Sequence, residues 1–353
     1  MTPTDDINAR IEQRLNAGLL GQWYVVAKSA DLQPGKPLAV KRMGRDLVLW
    51  RDAAGTAHCL EDSCPHRGAP LSRGVIIDGE LSCRYHGVTL DGTGKITRVP
   101  AMPECPLEGR KAVDAFQVFE AADAIAAYFP SVERPEPQGY QLPYEFTTGE
   151  YAHFLCTATW ACNYRYALDN LVDPMHGCYL HVDSFTLAYG SKQDVMKLDR
   201  LDDGFTIARA GQRGDNFDWA DAHIDSVLPF FRLDIPYPPA AGPGGPMRII
   251  TMLTPIDDRS CQIFFWRCRK VAGLEREVWR FMYRSLFEPR HWHVLEQDRE
   301  MLSAMPDDAR RREMLYQHDV GVGALRRVLG RRAREQVEAE VKAQMPGGMR
   351  VAS

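Results

Sequence analysis

The sequence has no uninterrupted apolar run approaching the roughly 20 residues that cross a bilayer, so no membrane partner is expected. Its first ten residues, Met1 to Arg10, are polar and carry Asp5 and Asp6; they lack the basic-then-apolar order of a secretion signal. Positive charge is not in excess. Against 47 acidic residues stand 43 Lys and Arg, a net charge of −4, which gives no reason to expect a nucleic-acid partner. There is no internal repeat. The nine cysteines also lack a disulfide pattern. Setting aside Cys64 and Cys83, the rest (Cys59, Cys105, Cys156, Cys162, Cys178, Cys261, Cys268) are scattered and odd in number, as free buried thiols in a reducing compartment are. Cytoplasmic residence is the expectation. With 45% apolar and 25% charged residues over 353 positions, the composition is that of a soluble globular chain of two domains.

What is present is concentrated in residues 64–87. Cys64-Pro65-His66-Arg67-Gly68 and Cys83-Arg84-Tyr85-His86-Gly87 each offer one thiolate and one imidazole. Turn-formers lie between them, at Gly68-Ala69-Pro70 and Asp78-Gly79, so the two loops can fold toward each other. One Cys-x-His loop and one Cys-x-x-His loop are the ligand set of a Rieske-type [2Fe–2S] centre, in which one iron takes two thiolates and the other two imidazoles. A tetrahedral zinc site uses the same residue types, but zinc sites more often keep their Cys pairs and His pairs together. The chain resembles the Rieske proteins at these residues, and also at Asp91-Gly92-Thr93-Gly94-Lys95 and Val99-Pro100, which resemble the hairpin and proline loop completing that domain.

An α+β fold is expected. Residues 7–20 have helical apolar spacing, with Ile11, Leu15 and Leu19 on one face. Short strands then alternate with turns from Trp23 to Phe129, an all-β module. A Pro/Gly-rich stretch, 131–150, marks the domain boundary. The expected division is therefore 1–140, a Rieske domain with its N-terminal helix, and 141–353, a catalytic domain of antiparallel sheet plus helices, helix-grip-like. In the latter, Tyr151–Thr157 and much of 193–269 read as strands. Residues 163–172, 275–304 and 322–344 read as helices.

A second constellation follows the first of these helices: Asp173-Pro174-Met175-His176-Gly177-Cys178-Tyr179-Leu180-His181. Five residues on a regular helix put the two histidines about 140° apart. They converge only where the helix ends or loosens between them, which Gly177 permits. Two histidines and one carboxylate form the open iron face of non-haem oxygenases. Asp173 is near in sequence, and Glu296, Asp298 and Glu300 offer acids farther on; the residues alone leave the choice open.

Taken over both domains the chain resembles the Rieske non-haem iron oxygenases, terminal oxygenase component, and within them the compact homotrimeric group of vanillate and dicamba O-demethylases and N-dealkylating monooxygenases. The resemblance implies Cys64, His66, Cys83 and His86 as cluster ligands. It implies His176, His181 and Asp298 as ligands of a mononuclear Fe(II), and Asp173 as the bridge between the centres. It implies a homotrimer receiving electrons from a reductase or ferredoxin. O2 would mono-oxygenate, by hydroxylation or oxidative N- or O-dealkylation, an apolar and aromatic small molecule; arene cis-dihydroxylation and an electron carrier without oxygenase activity are the alternatives. Candidate pocket residues are Asn163, Asn170, Phe185, Trp219, Phe231 and Trp292, with Phe230, Trp266 and Arg232 also considered.

Overall fold

The computed structural model describes residues 3–184, 187, 195–209, 219–235 and 245–344. The chain divides into two compact units, Trp23–Phe129 and a second made of Met1–Gln22 with Pro130–Ser353.

The first unit is all β. Its strands are β1 (Gln22–Lys28), β2 (Leu38–Arg42), β3 (Arg45–Arg51), β4 (Ala57–Glu61), β5 (Val75–Ile77), β6 (Glu80–Ser82), β7 (Thr89–Leu90), β8 (Ile96–Arg98), β9 (Ala115–Phe116), β10 (Val118–Ala121) and β11 (Ala124–Phe129). They form three small sheets, ordered β1-β11-β10, β2-β3-β4-β9 and β5-β6-β7-β8. Burial follows the sequence runs: Leu47 to Trp50 and Ile125 to Phe129 are fully enclosed. The β5–β8 sheet carries the second Cys/His loop on its β6–β7 connection, and the first loop lies between β4 and β5.

The N-terminal helix does not belong to this unit, which corrects the expected 1–140 domain. α1 (Pro3–Ala17) places Ile11 and Leu15, and the residues after it Leu19, in the core of the second unit. Arg14 donates to Glu340 at 2.7 Å, and the Gln336 amide pairs with both backbone groups of Leu20 at 2.8 and 3.0 Å. The apolar stripe of α1 suits docking or an oligomer contact alike; tertiary packing sets it against the helix nearest the other end of the chain. The changeover falls at Phe129/Pro130, at the edge of the Pro/Gly-rich stretch.

The second unit is built on a seven-stranded antiparallel sheet. Its strands are β12 (Tyr151–Trp160), β13 (Met196–Leu201), β14 (Gly204–Arg209), β15 (Trp219–His223), β16 (Phe230–Ile235), β17 (Met247–Asp257) and β18 (Ser260–Lys270), in the order β12-β18-β17-β16-β15-β14-β13. Helices α2 (Tyr164–Leu171), α3 (Gly177–Leu180), α4 (Gly273–Met282), α5 (Glu288–Ser303) and α6 (Val320–Gln344) accompany it. The long helical reading of 275–304 is broken by a π-helical turn, Tyr283–Phe287, between α4 and α5. Strand alternation gives the central strands two different faces. One bears Leu233, Ile235, Met247, Ile249 and Phe265. The other bears Arg232, Asp234 and Arg248, neutralised by each other and by the buried Glu145, with Arg–carboxylate contacts of 2.6–2.9 Å.

All nine cysteines are buried and none forms a disulfide. Among the described residues no helix is long and apolar enough to cross a membrane.

Candidate metal centres and cavity

The two Cys/His loops are the same loop built twice. In each, the cysteine N–H donates to the carbonyl five residues on (Ala69, Val88), and the cysteine carbonyl accepts from the glycine four residues on (Gly68, Gly87), all at 2.8 Å. Both glycines have positive φ, 72° and 75°, the region a side chain disfavours. Pro100 closes over the second loop, where a Cβ on Gly87 would meet its ring at 2.9 Å.

Folding unmixes the donors. Cys64 and Cys83 are buried with their thiols in hydrogen-bond contact, and burial together with that neighbour raises the Cys64 thiol above its ordinary value. His66 and His86 lie outside, exposed, Nδ1 to Nδ1 at 3.1 Å. Sulfur stands with sulfur and nitrogen with nitrogen, which suits two irons bridged by sulfide. A single zinc ion would need all four at one point. Among the described residues, however, the group whose ligand atoms all lie within 4.8 Å is a different one.

That group is His176, His181 and Asp298. Asn163 starts the segment that carries the histidines, capping α2 by accepting from Arg165 N–H at 3.0 Å. After α2, Asp173 caps the turn Pro174–His176 by accepting from Met175 N–H at 3.1 Å. α3 then runs for one turn and ends at His181, whose φ of −101° and ψ of 42° leave the helix. This exit, with the tighter turn before it, brings the rings to 5.2 Å between centroids. Gly177 itself is helical, at φ −55°, so the convergence does not depend on glycine's extra freedom.

α5 supplies the carboxylate. Asp298 Oδ1 lies 3.4 Å from His176 Nε2 and 3.3 Å from His181 Nε2. The opposite ring nitrogens are occupied: His181 Nδ1 lies 2.9 Å from Gln297 Oε1, and His176 Nδ1 contacts the Asp173 backbone carbonyl. Each acceptor takes an Nδ1–H, so both Nε2 atoms are the ones turned toward Asp298. Burial alone would raise the Asp298 carboxyl, but hydrogen bonds to His176 and His181 outweigh it and bring it down to about 2. For His176, burial acts to lower the pKa, and Asp298 turns the net shift upward. A buried carboxylate facing two imidazoles is a place where a cation belongs, and the donor set suits iron(II). Glu296 is exposed and bonded to Arg299, a solvated helix acid.

Asn170 joins the group, its amide 3.4 Å from His176 Nε2 and 3.3 Å from Asp298 Oδ1. A cavity of about 550 Å³ opens from these residues, walled mainly by Trp160, Leu171, Leu233, Met247, Ile249 and Phe265. The expected lining is corrected in several places. Asn163 is held by the backbone carbonyls of Asn16 and Asp258 in addition to its cap. Phe231 is core, and Trp292 packs against that core; neither lines the cavity. Phe230 stacks on His223, Trp266 meets Phe146, and Arg232 belongs to the opposite face with Glu145. Phe185 and the Trp219 side chain lie outside the described residues. Sequence reasoning missed Gln297, Thr251 and Arg267. Gln297 had a signal, its place beside Asp298; the other two looked like ordinary strand positions.

An iron–sulfur module followed by an iron-binding, cavity-bearing α+β domain is the plan of an iron-dependent oxygenase. Residues 22–119 match the Rieske [2Fe-2S] domain, and residues 160–335 match the vanillate O-demethylase oxygenase C-terminal domain. The chain belongs to the Rieske oxygenase family, whose cofactors are a [2Fe–2S] cluster and a mononuclear iron. It is 34% identical over 162 residues to a vanillate O-demethylase oxygenase subunit of a Pseudomonas species, covering 46% of this chain and 45% of that one. It is 31% identical over 158 residues to protein TIC 55 of Arabidopsis thaliana, covering 44% and 29%. The chain thus spans under half the length of these curated relatives. Its fold is that of the terminal oxygenase of carbazole 1,9a-dioxygenase from Nocardioides aromaticivorans, with TM-score 0.76 at 19% identity over 93% of this chain and 98% of the other.

Proposed function

We propose that the protein is the terminal oxygenase component of a multicomponent system, mono-oxygenating an apolar, aromatic small molecule by hydroxylation or by oxidative N- or O-dealkylation. The observation that carries this reading is the placement of His176, His181 and Asp298 at an apolar cavity large enough for a ring system. The relatives named for vanillate and dicamba O-demethylation support the choice of reaction.

In this reading Cys64, His66, Cys83 and His86 hold the cluster, and His176, His181 and Asp298 hold the iron. When bound, the cluster supplies single electrons and the iron the oxidising chemistry. The protein does the rest. Gln297 and the Asp173 carbonyl keep the Nδ1 protons in place, so both imidazoles present Nε2. The cavity walls hold the substrate beside these donors and keep water out, so positioning decides which bond reacts. Asp173 is the bridge. Its carboxyl is partly exposed, 4.0 Å from His176 Nδ1, and burial raises its pKa. Exposed Tyr316 stands near it.

In the reading as a homotrimer, this surface receives the exposed His66 and His86 of a neighbouring copy, and a ferredoxin or reductase delivers the electrons. Asp173→Asn is then expected to keep both metal centres and a reducible cluster while turnover collapses. Near-normal turnover would remove Asp173 from the electron route. The function itself is tested by O2 uptake with a reductase across aromatic methyl ethers and N-alkyl compounds, assayed for aldehyde. Substrate-dependent uptake with aldehyde or alcohol supports it. A cis-diol product moves the assignment to dihydroxylation, and a reducible cluster with no uptake moves it to an electron carrier.

A further inference from the structure

Two arginines of the central sheet come with acids, and one that faces the cavity does not. Arg232 and Arg248 point to the far face of the sheet and are paired with Glu145 and Asp234. Arg267, one strand over on β18, faces the cavity and is 1% exposed. Among the described residues it forms no ion pair. Its Nη1 donates to Cys156 Sγ at 3.0 Å and to the Tyr283 hydroxyl, and the guanidinium lies 5.3 Å over the Trp292 ring. Its Nη2 has no hydrogen-bond partner. Neither Cys156 nor Tyr283 neutralises the charge, because burial raises both and keeps them protonated. Glu288 is close enough to influence those two groups but makes no ion pair with Arg267.

A second orphan lies beside it. Thr251 of β17 is fully buried, lines the same cavity, and its Oγ1 also has no partner. In the sheet register Thr251 opposes Phe265 and Ile249 opposes Arg267, so Thr251 and Arg267 are diagonal neighbours on one face. Such neighbours are about 7–8 Å apart, a gap that one ligand group held by a long arginine can span. Leaving a guanidinium and a hydroxyl unsatisfied in an apolar wall is costly, and an anionic oxygen group entering the cavity would satisfy both while balancing the charge. The arginine is held for this: the π-helical turn that begins at Tyr283 carries the hydroxyl fixing Nη1.

We propose that Arg267, assisted by Thr251, is the substrate anchor of the cavity, and that it selects an aromatic substrate bearing an anionic oxygen group, a carboxylate in the simplest case. This rests on the reading of the cavity as the substrate site. The geometry then divides the cavity's labour: Arg267 holds the charged end, and the ring lies along the apolar wall toward the iron-site residues.

The test is calorimetric binding to the protein loaded with both metals, using 4-methoxybenzoate and 2-naphthoate, each against its neutral amide. Wild type is expected to bind each acid about ten- to a hundredfold more tightly than its amide, the strength of a charge-assisted hydrogen bond. Arg267→Gln, with unchanged cluster spectrum and iron content, is expected to bring acid and amide within about twofold while leaving amide affinity as it was. Acid and amide binding alike in wild type, or a preference retained in Arg267→Gln, overturns the proposal. Should Arg267→Gln fail to fold, Arg267→Lys and Thr251→Val decide: a fall in acid preference in either supports the anchor, and no change in both overturns it. If neither acid nor amide binds and none stimulates O2 uptake, the cavity is not the substrate site, and the underlying reading falls with the proposal. Equal binding with uptake removes the anchor alone.

Discussion

The two donor sets reach similar chemistry by opposite construction. His66 and His86 are 20 residues apart, on two loops with the same backbone hydrogen bonds and a positive-φ glycine at the same place. His181 and its supporting Gln297 are 116 residues apart, on different helices joined through a seven-stranded sheet. The first is a local device: it needs short turns and a proline to close them. The second is a global one, which exists only when α2, α3 and α5 are all in place. Damage should therefore spread differently. A lesion in one cluster loop should stay in the small β unit, whereas the catalytic site should register faults from distant elements.

The largest expected effects separate the sites completely. Cys83→Ala should yield colourless or destabilised protein, read by visible absorption and iron content. Asp298→Ala should keep the cluster colour, lose the mononuclear iron and lose all measurable turnover. Glu296→Ala, altering an exposed acid bonded to Arg299, should do neither. If Glu296→Ala were the inactive variant and Asp298→Ala active, the third ligand would be misassigned.

Next comes the coupling of the two sites. His86→Ala and His176→Ala should each be inactive alone. In the proposed head-to-tail homotrimer, equal co-expression with random assembly makes about three quarters of the rings mixed, and each mixed ring keeps one junction of intact cluster with intact iron. About a quarter of wild-type activity should return. Zero activity from verified mixed trimers retaining both metals would confine electron transfer to single chains.

Smaller again is the effect of Gln297→Leu, which removes the acceptor holding His181 Nδ1–H. Loss of such a partner to a metal-binding histidine costs about 10- to 100-fold in metal affinity. Iron retention during titration with a chelator should fall by that factor while the cluster spectrum stays unchanged. Unaltered retention would mean that the ring is oriented by packing alone. The smallest effect expected is for Asn163→Ala. Loss of the α2 cap should lower stability by about 1 kcal/mol in denaturant unfolding, with substrate affinity untouched. An altered affinity at normal stability would return Asn163 to the pocket.

How much could be read in advance follows from the same contrast. The cluster loops were legible because their ligands, glycines and turns lie in one short stretch, where backbone geometry is set by near neighbours. The His176–His181 pair was legible as a motif, and so was the need for the helix to loosen. The means was not: the helix exits at His181, and Gly177 stays helical. The sequence places Asn163 as the first residue of a helix and a pocket candidate; the structure makes it the cap one position before α2. α1 could be recognised as a docking helix, but its apolar stripe fits any complementary face, and only the assembled unit shows that α6 provides one.

By itself, then, the sequence determined the cluster-binding loops, the strand and helix periods, and the presence of two histidines suited to iron. These depend on residues a few positions apart, where chain geometry leaves few choices. Tertiary structure decided which acid joins the histidines, and that Gln297 backs one of them. It also placed Arg267 in an apolar stretch of the cavity wall, where it forms no ion pair among the described residues. Strand alternation says that Arg267 and Trp266 point to opposite faces; it does not say which face is the cavity. That is settled only when strands and helices distant in sequence pack together, because burial and charge compensation are properties of the surroundings and not of the residue.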